Sequence, residues 1–261
     1  MNTVPTFLNL PSRTVKPRRR GITHVLDSGL PVSQVEALLG VCGEVVDVWK
    51  LGWGTAYLDP GLVAKLAVLD RHGVLACAGG TLLEVAWQQR AVDGYLDWCA
   101  EVGFPCVEVS CGVAVMTQDE KRSLVERAAE RFIVLAEVGA KDPDVEVSPQ
   151  AWADEALGDL AAGATWVVTE GRESGTVGLY EPDGTVRSDV VDAVVGAVGV
   201  GTTVFEAPRK EQQAWLVRRF GADVNLANIA PADALGVEAL RLGLRADTFD
   251  AATHDRSARA R

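Results

Sequence analysis

The sequence predicts a single-domain α/β protein, a (β/α)8 TIM barrel. Three observations lead there. Eight short apolar runs recur along the chain, and helical patterns fill the intervals between them. Glycines stand where several of those helices give way to the next run. Eight such units in about 250 residues match the usual size of this barrel. An open doubly wound sheet is the alternative, but no GxGxxG follows the first run.

The expected strands are residues 22–27, 45–51, 74–78, 106–110, 132–137, 165–170, 202–206 and 223–226. Each is short and rich in Val, Ile, Leu or aromatic residues, as parallel strands buried on both faces must be. Helix starts are marked by Asp59-Pro60 and Ser148-Pro149, a capping side chain before a proline suited to the first turn. Thr117 with Glu120 fits a capping box, and Pro231 can open the last long helix. Gly73, Gly103, Gly163 and Gly221 stand where helices should end. Residues 1–15 read as an irregular segment, 16–252 as the barrel, and 253–261 as a small, polar and charged tail.

Composition narrows the function. Hydrophobic residues make up 48% of the chain, enough for a substantial core. A formal net charge of -11 argues against general nucleic-acid binding. The basic run from Lys16 to Arg20 is the exception, either a solvated lead-in or an anion-binding element near a pocket. The five cysteines form no CxxC pair, which points to a reducing compartment without a zinc site. No apolar run is long enough to span a bilayer, and no secretory h-region stands at the N-terminus. The expectation is a cytoplasmic protein that meets small anionic molecules rather than nucleic acid or membrane. Self-association into a homo-oligomer is left open.

In such a barrel the chemistry sits where the strands end. Glu137, Glu170 and Glu206 occupy comparable positions at the ends of three successive expected strands. Carboxylates that close repel without a cation between them, and oxygen donors favour Mg2+. Lys50, Lys141 and Arg172 could instead complete a salt-bridged ring with no metal. Both readings stay open at this level. In the loop 171–175, Arg172, Ser174 and the backbone of Gly171 and Gly175 suit a phosphate or carboxylate, although a plain tight turn would look alike. Gly79-Gly80-Thr81 leads into a helix and could present amides to an anion. No GxSxG occurs. Of the three histidines, His24 lies within a strand, His72 at a helix end and His254 in the tail. Proton transfer should therefore fall to Lys or Glu.

At these strand ends the sequence resembles the phosphosulfolactate synthase family. The matching segments include Lys16-Pro17-Arg18, Gly52-Trp53-Gly54-Thr55, Gly79-Gly80-Thr81 with Glu84, and Glu108-Val109-Ser110. Further along they include Glu137-Val138-Gly139 with Lys141, Glu170-Gly171-Arg172-Glu173-Ser174-Gly175, Phe205-Glu206-Ala207-Pro208, and Asn225 with Asn228. They run from about residue 16 to 248. The resemblance implies a carbon–sulfur lyase that adds sulfite to phosphoenolpyruvate with Mg2+, an early step towards coenzyme M. On that reading Glu137, Glu170 and Glu206 hold the cation. Lys141, or failing it Lys50, delivers a proton. Arg172, Ser174, Gly171 and Gly175 hold phosphate, with Thr81 and Asn225 also in the substrate site and Arg18 guiding sulfite in. The chain departs from the family pattern at Cys111 (Asp expected), Ala56 (Ser), Ala140 (Lys) and Ala227 (Gly). Enolate-type chemistry on another small anion, or a non-catalytic stress-associated barrel, are the other readings. The joint presence of three glutamates and two lysines favours an enzyme.

Overall fold

The computed structural model describes residues 7–112, 114, 116–139 and 147–250. Among them, eight strands form one closed parallel barrel: β1 (Thr23–Asp27), β2 (Val48–Leu51), β3 (Leu75–Ala78), β4 (Cys106–Val109), β5 (Ile133–Val138), β6 (Trp166–Thr169), β7 (Thr203–Glu206) and β8 (Asn225–Ile229). Each strand pairs with the next, and β8 closes on β1. The connecting helices are α1 (Val32–Cys42), α2 (Thr55–Leu58), α3 (Leu62–Arg71), α4 (Gly80–Gln88), α5 (Val92–Val102), α6 (Gln118–Ala129), α7 (Pro149–Ala161), α8 (Ser188–Val198), α9 (Lys210–Phe220) and α10 (Ala234–Arg241). No helix among the described residues is long and apolar enough to cross a membrane.

Strand side chains alternate with a period of two. One set, including Val48, Cys106, Leu135, Val168 and Val204, fills the barrel interior. The other set, such as Val25, Trp49, Val107 and Val134, packs outward in a larger apolar cluster with the helices. Two expected helix starts act as read, while α3 is N-capped by Gly61 rather than Asp59 and Pro231 opens a 3-10 turn ahead of α10. Thr117 and Glu120 form a capping box on α6, and Ser148 Oγ accepts from Ala151 N at 3.2 Å. Asp59 Oδ1 accepts from Gly61 N just before α3. Gly73, Gly103, Gly163 and Gly221 all take positive φ, between 60° and 107°.

Two strands differ from expectation by more than one residue at an end. β2 starts at Val48 rather than residue 45, because Gly43–Val45 forms a 3-10 turn. β8 lies two residues later than expected at its start. Asp223 is a turn residue whose carboxylate binds Arg13 and Arg20, so it does not enter the sheet.

The N-terminal end of the barrel is stitched by side chains. Asn225 Oδ1 accepts from Ile22 N at 3.0 Å, and its Nδ2 donates to the carbonyls of Gly201 and Thr203. Arg241, fully buried, donates to the carbonyls of Ala222, Val224 and Ile22. Asp47 accepts from Thr23 N and pairs with Arg18 at 3.0 Å. Lys16 Nζ donates to the carbonyls of His72 and Gly73, at the negative end of α3.

Outside the barrel, near the other end, the Asp27 carboxylate is fully used. Oδ1 accepts from the amides of Gly29 and Leu30, and Oδ2 from Trp49 Nε1 and Lys65 Nζ. Removing one partner of a buried pair leaves the other uncompensated, at about 3–5 kcal/mol. Asp27→Ala should destabilise the protein by about that amount in urea denaturation. A loss under about 1 kcal/mol would show that Asp59, which lies 2.6 Å from Lys65, suffices alone.

Candidate active site

The site follows from strand alternation. Lys50, Glu108, Glu137, Glu170 and Glu206 each come two residues after an interior residue: Val48, Cys106, Leu135, Val168 and Val204. The period of two carries all five to the same inward face, one layer nearer the C-terminal rim. They line a cavity of about 220 Å³ with Leu26, Trp53, Gly80, Thr81, Arg172, Glu173 and Asn228. Among the described residues, five carboxylates there face two cationic side chains.

Lys50 Nζ lies 2.9 Å from Glu108 Oε2 and 3.4 Å from Glu206 Oε1. Burial alone would lower the Lys50 pKa, but the charges of Glu108, Glu206 and Glu137 outweigh it and hold the pKa well above its ordinary value. Glu206 is pushed the other way. Burial raises its pKa above 4.5, Lys50 opposes this, and Glu137 and Glu108 reinforce it. Glu108 takes the nearer share of the ammonium and leaves Glu206 under-compensated. Glu137, Glu170 and Glu206 each bring a carboxylate oxygen within 4.8 Å of the others, and all three are buried.

Backbone amides orient these carboxylates. Gly80 N donates to Glu108 Oε1 at 3.0 Å, Gly171 N to Glu206 Oε2 at 2.8 Å, and Arg172 N to Glu170 Oε1 at 2.7 Å. Glycine is required at the first two places by close approach. A Cβ on Gly80 would stand 2.3 Å from Ser110 Oγ, and one on Gly171 would stand 2.7 Å from the Tyr180 ring. Tyr180 in turn donates to the Glu206 carbonyl.

Several expected site residues have other work. Thr81 and Arg172 do line the cavity. Gly171, Ser174 and Gly175 do not: the Gly171 amide is taken by Glu206, Ser174 Oγ bonds Thr176 Oγ1, and the Gly175 carbonyl accepts from Gln212. Arg18 and Asn225 need correction. Arg18 lines a cleft with Val48, Leu75, Ile133 and Trp166, where strands begin, so it sits at the opposite end of the barrel. Asn225 is the first residue of β8 and staples the strand starts. Lys141 lies outside the described residues.

Glu84 and Cys111 also serve the scaffold. Glu84 accepts from Ser110 Oγ at 2.5 Å and from the amides of Gly112 and Ala114, holding the loop after β4. Cys111 Sγ reaches the Met116 carbonyl of that same loop and does not line the cavity. Glu108 and Asn228, which the sequence places at strand ends but to which it assigns no role, also line the cavity. Glu108 is flanked by Val107 and Val109 inside an apolar run, and the inward alternation is what gives it a place beside Lys50.

A closed parallel barrel whose strand ends gather buried carboxylates around a buried lysine defines a barrel enzyme. Known proteins narrow that class. The family model described as (2R)-phospho-3-sulfolactate synthase (ComA) matches residues 11–247. The chain is 41% identical to the phosphosulfolactate synthase of Methanocaldococcus jannaschii, covering 88% of this chain and 94% of that protein. It is 38% identical to the phosphosulfolactate synthase of Bacillus subtilis, covering 93% and 97%. The chain belongs to the phosphosulfolactate synthase family and is an enzyme of that type. Among solved structures, a 3-hexulose-6-phosphate synthase superposes with a TM-score of 0.53 at 20% identity, covering 91% of this chain and 99% of that one, which speaks for the fold alone.

Proposed function

We propose that this enzyme adds sulfite to phosphoenolpyruvate to give phosphosulfolactate. The observation that carries the reading is the buried glutamate cluster built around Lys50 at the rim, in a chain that matches the family almost end to end. The sulfur lone pair of sulfite forms a C–S bond at C3. The electrons of the C2=C3 bond move towards the substrate carboxylate, and C2 then takes a proton.

Glu137, Glu170 and Glu206 are the residues that would hold Mg2+. The fit rests on the donor set: three buried carboxylates, oxygen only, in a cavity with more acidic than basic side chains. When bound, the cation would neutralise the negative charge that develops on the substrate carboxylate. Lys50, fixed as a positive charge by Glu108 and Glu206, draws the anionic substrate into an otherwise acidic cavity. Arg172, at the cavity mouth, is suited to the phosphate. Proton delivery to C2 is assigned to Lys141.

The direct test incubates purified protein with phosphoenolpyruvate, sulfite and Mg2+ and follows the sulfonate product. No product at any metal concentration would refute the reading. EDTA should abolish turnover, and added Mg2+ should restore it. Affinity for Mg2+ should also depend on pH. Because the Glu206 pKa is raised, protons compete for this ligand above the ordinary glutamate range, so Mg2+ binding weakens on acidification earlier than a solvent-exposed carboxylate site would. Calorimetric titrations between neutral pH and about pH 5 would show this, and a flat profile would remove Glu206 from the ligand set.

A further inference from the structure

Asn228 differs from the other cavity residues in its backbone. Between Thr23 and Val25, β1 advances two residues, while their partners Leu226 and Ile229 on β8 are three apart. The extra residue bulges β8, and Asn228 takes a left-handed φ of 54°. Bulges beside active sites re-aim side chains, and asparagine tolerates this conformation better than most residues. Here Asn228 lines the acidic cavity. It is 6% exposed, yet its Oδ1 has no hydrogen-bond partner. A buried polar atom left without a partner is unfavourable until something supplies one.

A second side chain holds the bulge in place. Asn228 N donates to His24 Nδ1 at 3.4 Å. His24 is fully buried and lies two residues after Ile22, so it faces the barrel interior beneath the cavity. With Nδ1 accepting, the ring proton resides on Nε2. Burial, and then the charge of Lys50, hold the His24 pKa well below its ordinary value, so the ring stays neutral and Nδ1 stays an acceptor.

We infer that the Asn228 carboxamide binds the anionic substrate, donating a hydrogen bond to one of its oxygens, and that His24 is the positioning residue that keeps the carboxamide aimed at it. A half-turn of the carboxamide exchanges Oδ1 and Nδ2, so an N–H can occupy the place of the unpartnered atom. A neutral donor suits this cavity. It can grip an anion without pairing with the surrounding carboxylates, as a lysine at the same place would.

The inference rests on the reading of this rim as a phosphoenolpyruvate site. The test measures phosphoenolpyruvate binding by calorimetry, with Mg2+ and without sulfite, for the wild-type protein and four variants. Asn228→Gly keeps the left-handed backbone and should weaken binding about tenfold to a hundredfold, the range for a hydrogen bond to a charged group. Asn228→Asp, nearly isosteric, should weaken it at least as much because its charge repels the anion. It decides the matter if Asn228→Gly proves unstable. His24→Asn retains an acceptor near the position of Nδ1 and should bind close to wild type, whereas His24→Leu should bind more weakly. A merely structural role for Asn228 would lower the melting temperature and leave affinity unchanged. Undiminished affinity in both Asn228 variants, with the wild type binding normally, overturns the inference and leaves the synthase reading standing. If the wild type binds no phosphoenolpyruvate, the synthase reading falls and the inference falls with it.

Discussion

Replacing Lys50 with methionine should slow turnover by about two to three orders of magnitude, the range for losing one preorganised charge-stabilising group. Methionine keeps the length of the side chain and removes its charge. Lys50 is buried, and its Nζ touches Glu108 and Glu206. Without it, both carboxylates remain in the barrel with no ammonium beside them. Two effects follow. The substrate anion meets an acidic cavity whose remaining cationic side chain among the described residues is the exposed Arg172, so KM for phosphoenolpyruvate should rise. The folded state should lose about 3–5 kcal/mol, relieved in part as Glu206 takes up a proton. Steady-state kinetics well below the new melting temperature separate the two. A fall in kcat of less than about tenfold would mean that Lys50 only balances charge in the barrel.

Lys121→Met should give the largest loss of stability away from the cavity, again about 3–5 kcal/mol. Lys121 is fully buried, and its Nζ lies 2.6 Å from Glu155, from Asp159 and from the Glu137 carbonyl. The pH dependence has a definite sign. The Lys121 pKa is raised, with burial opposing and Glu155 and Asp159 prevailing, so its stabilisation is fully present below pH 10.5 and is lost only as pH climbs through the raised value. The Asp159 pKa is also raised, by burial above all. A carboxyl that holds its proton more tightly when folded favours the fold as pH falls through its folded pKa. In Lys121→Met the carboxylates lose their cation, and the variant should regain stability on acidification from neutral pH. Equal destabilisation at pH 8 and pH 5 would contradict this account. Activity should drop as well, since Lys121 holds the Glu137 carbonyl and Glu155 Oε2 accepts from Gly139 N, next to a candidate ligand.

The barrel was legible because its evidence is local. Apolar runs, caps and terminating glycines each follow from a few neighbouring residues. Glu137, Glu170 and Glu206 were legible for the same reason, each standing at or near the end of an apolar run. The failures needed three-dimensional information. Arg18 carries the charge an anion site wants, but nothing in its neighbours says which end of the barrel it occupies, and it belongs to the end where the helix termini are negative. Asn225 and Asn228 sit on one strand three residues apart, and only the bulge at Asn228 decides which enters the cavity. Glu84 belongs to a glycine-rich motif that reads as ligand-binding, yet its carboxylate serves the backbone of a neighbouring loop.

The stitching between the first and last strands bears on how the chain is made. Ile22 donates its N–H to Asn225, 203 positions downstream, and its carbonyl accepts from Arg241, 219 positions downstream. A ribosome adding about 5–20 residues per second leaves β1 without its β8 partner for on the order of ten seconds or more. Throughout that time one edge of β1 is open, and its apolar side chains are exposed to other nascent chains. Closure also demands the joining of very distant segments, which slows folding. A chain truncated before Asn225 would leave the ribosome without β8, as an open, sticky sheet. Such a fragment should be recovered as aggregate or bound to chaperones, while the full chain closes and is released.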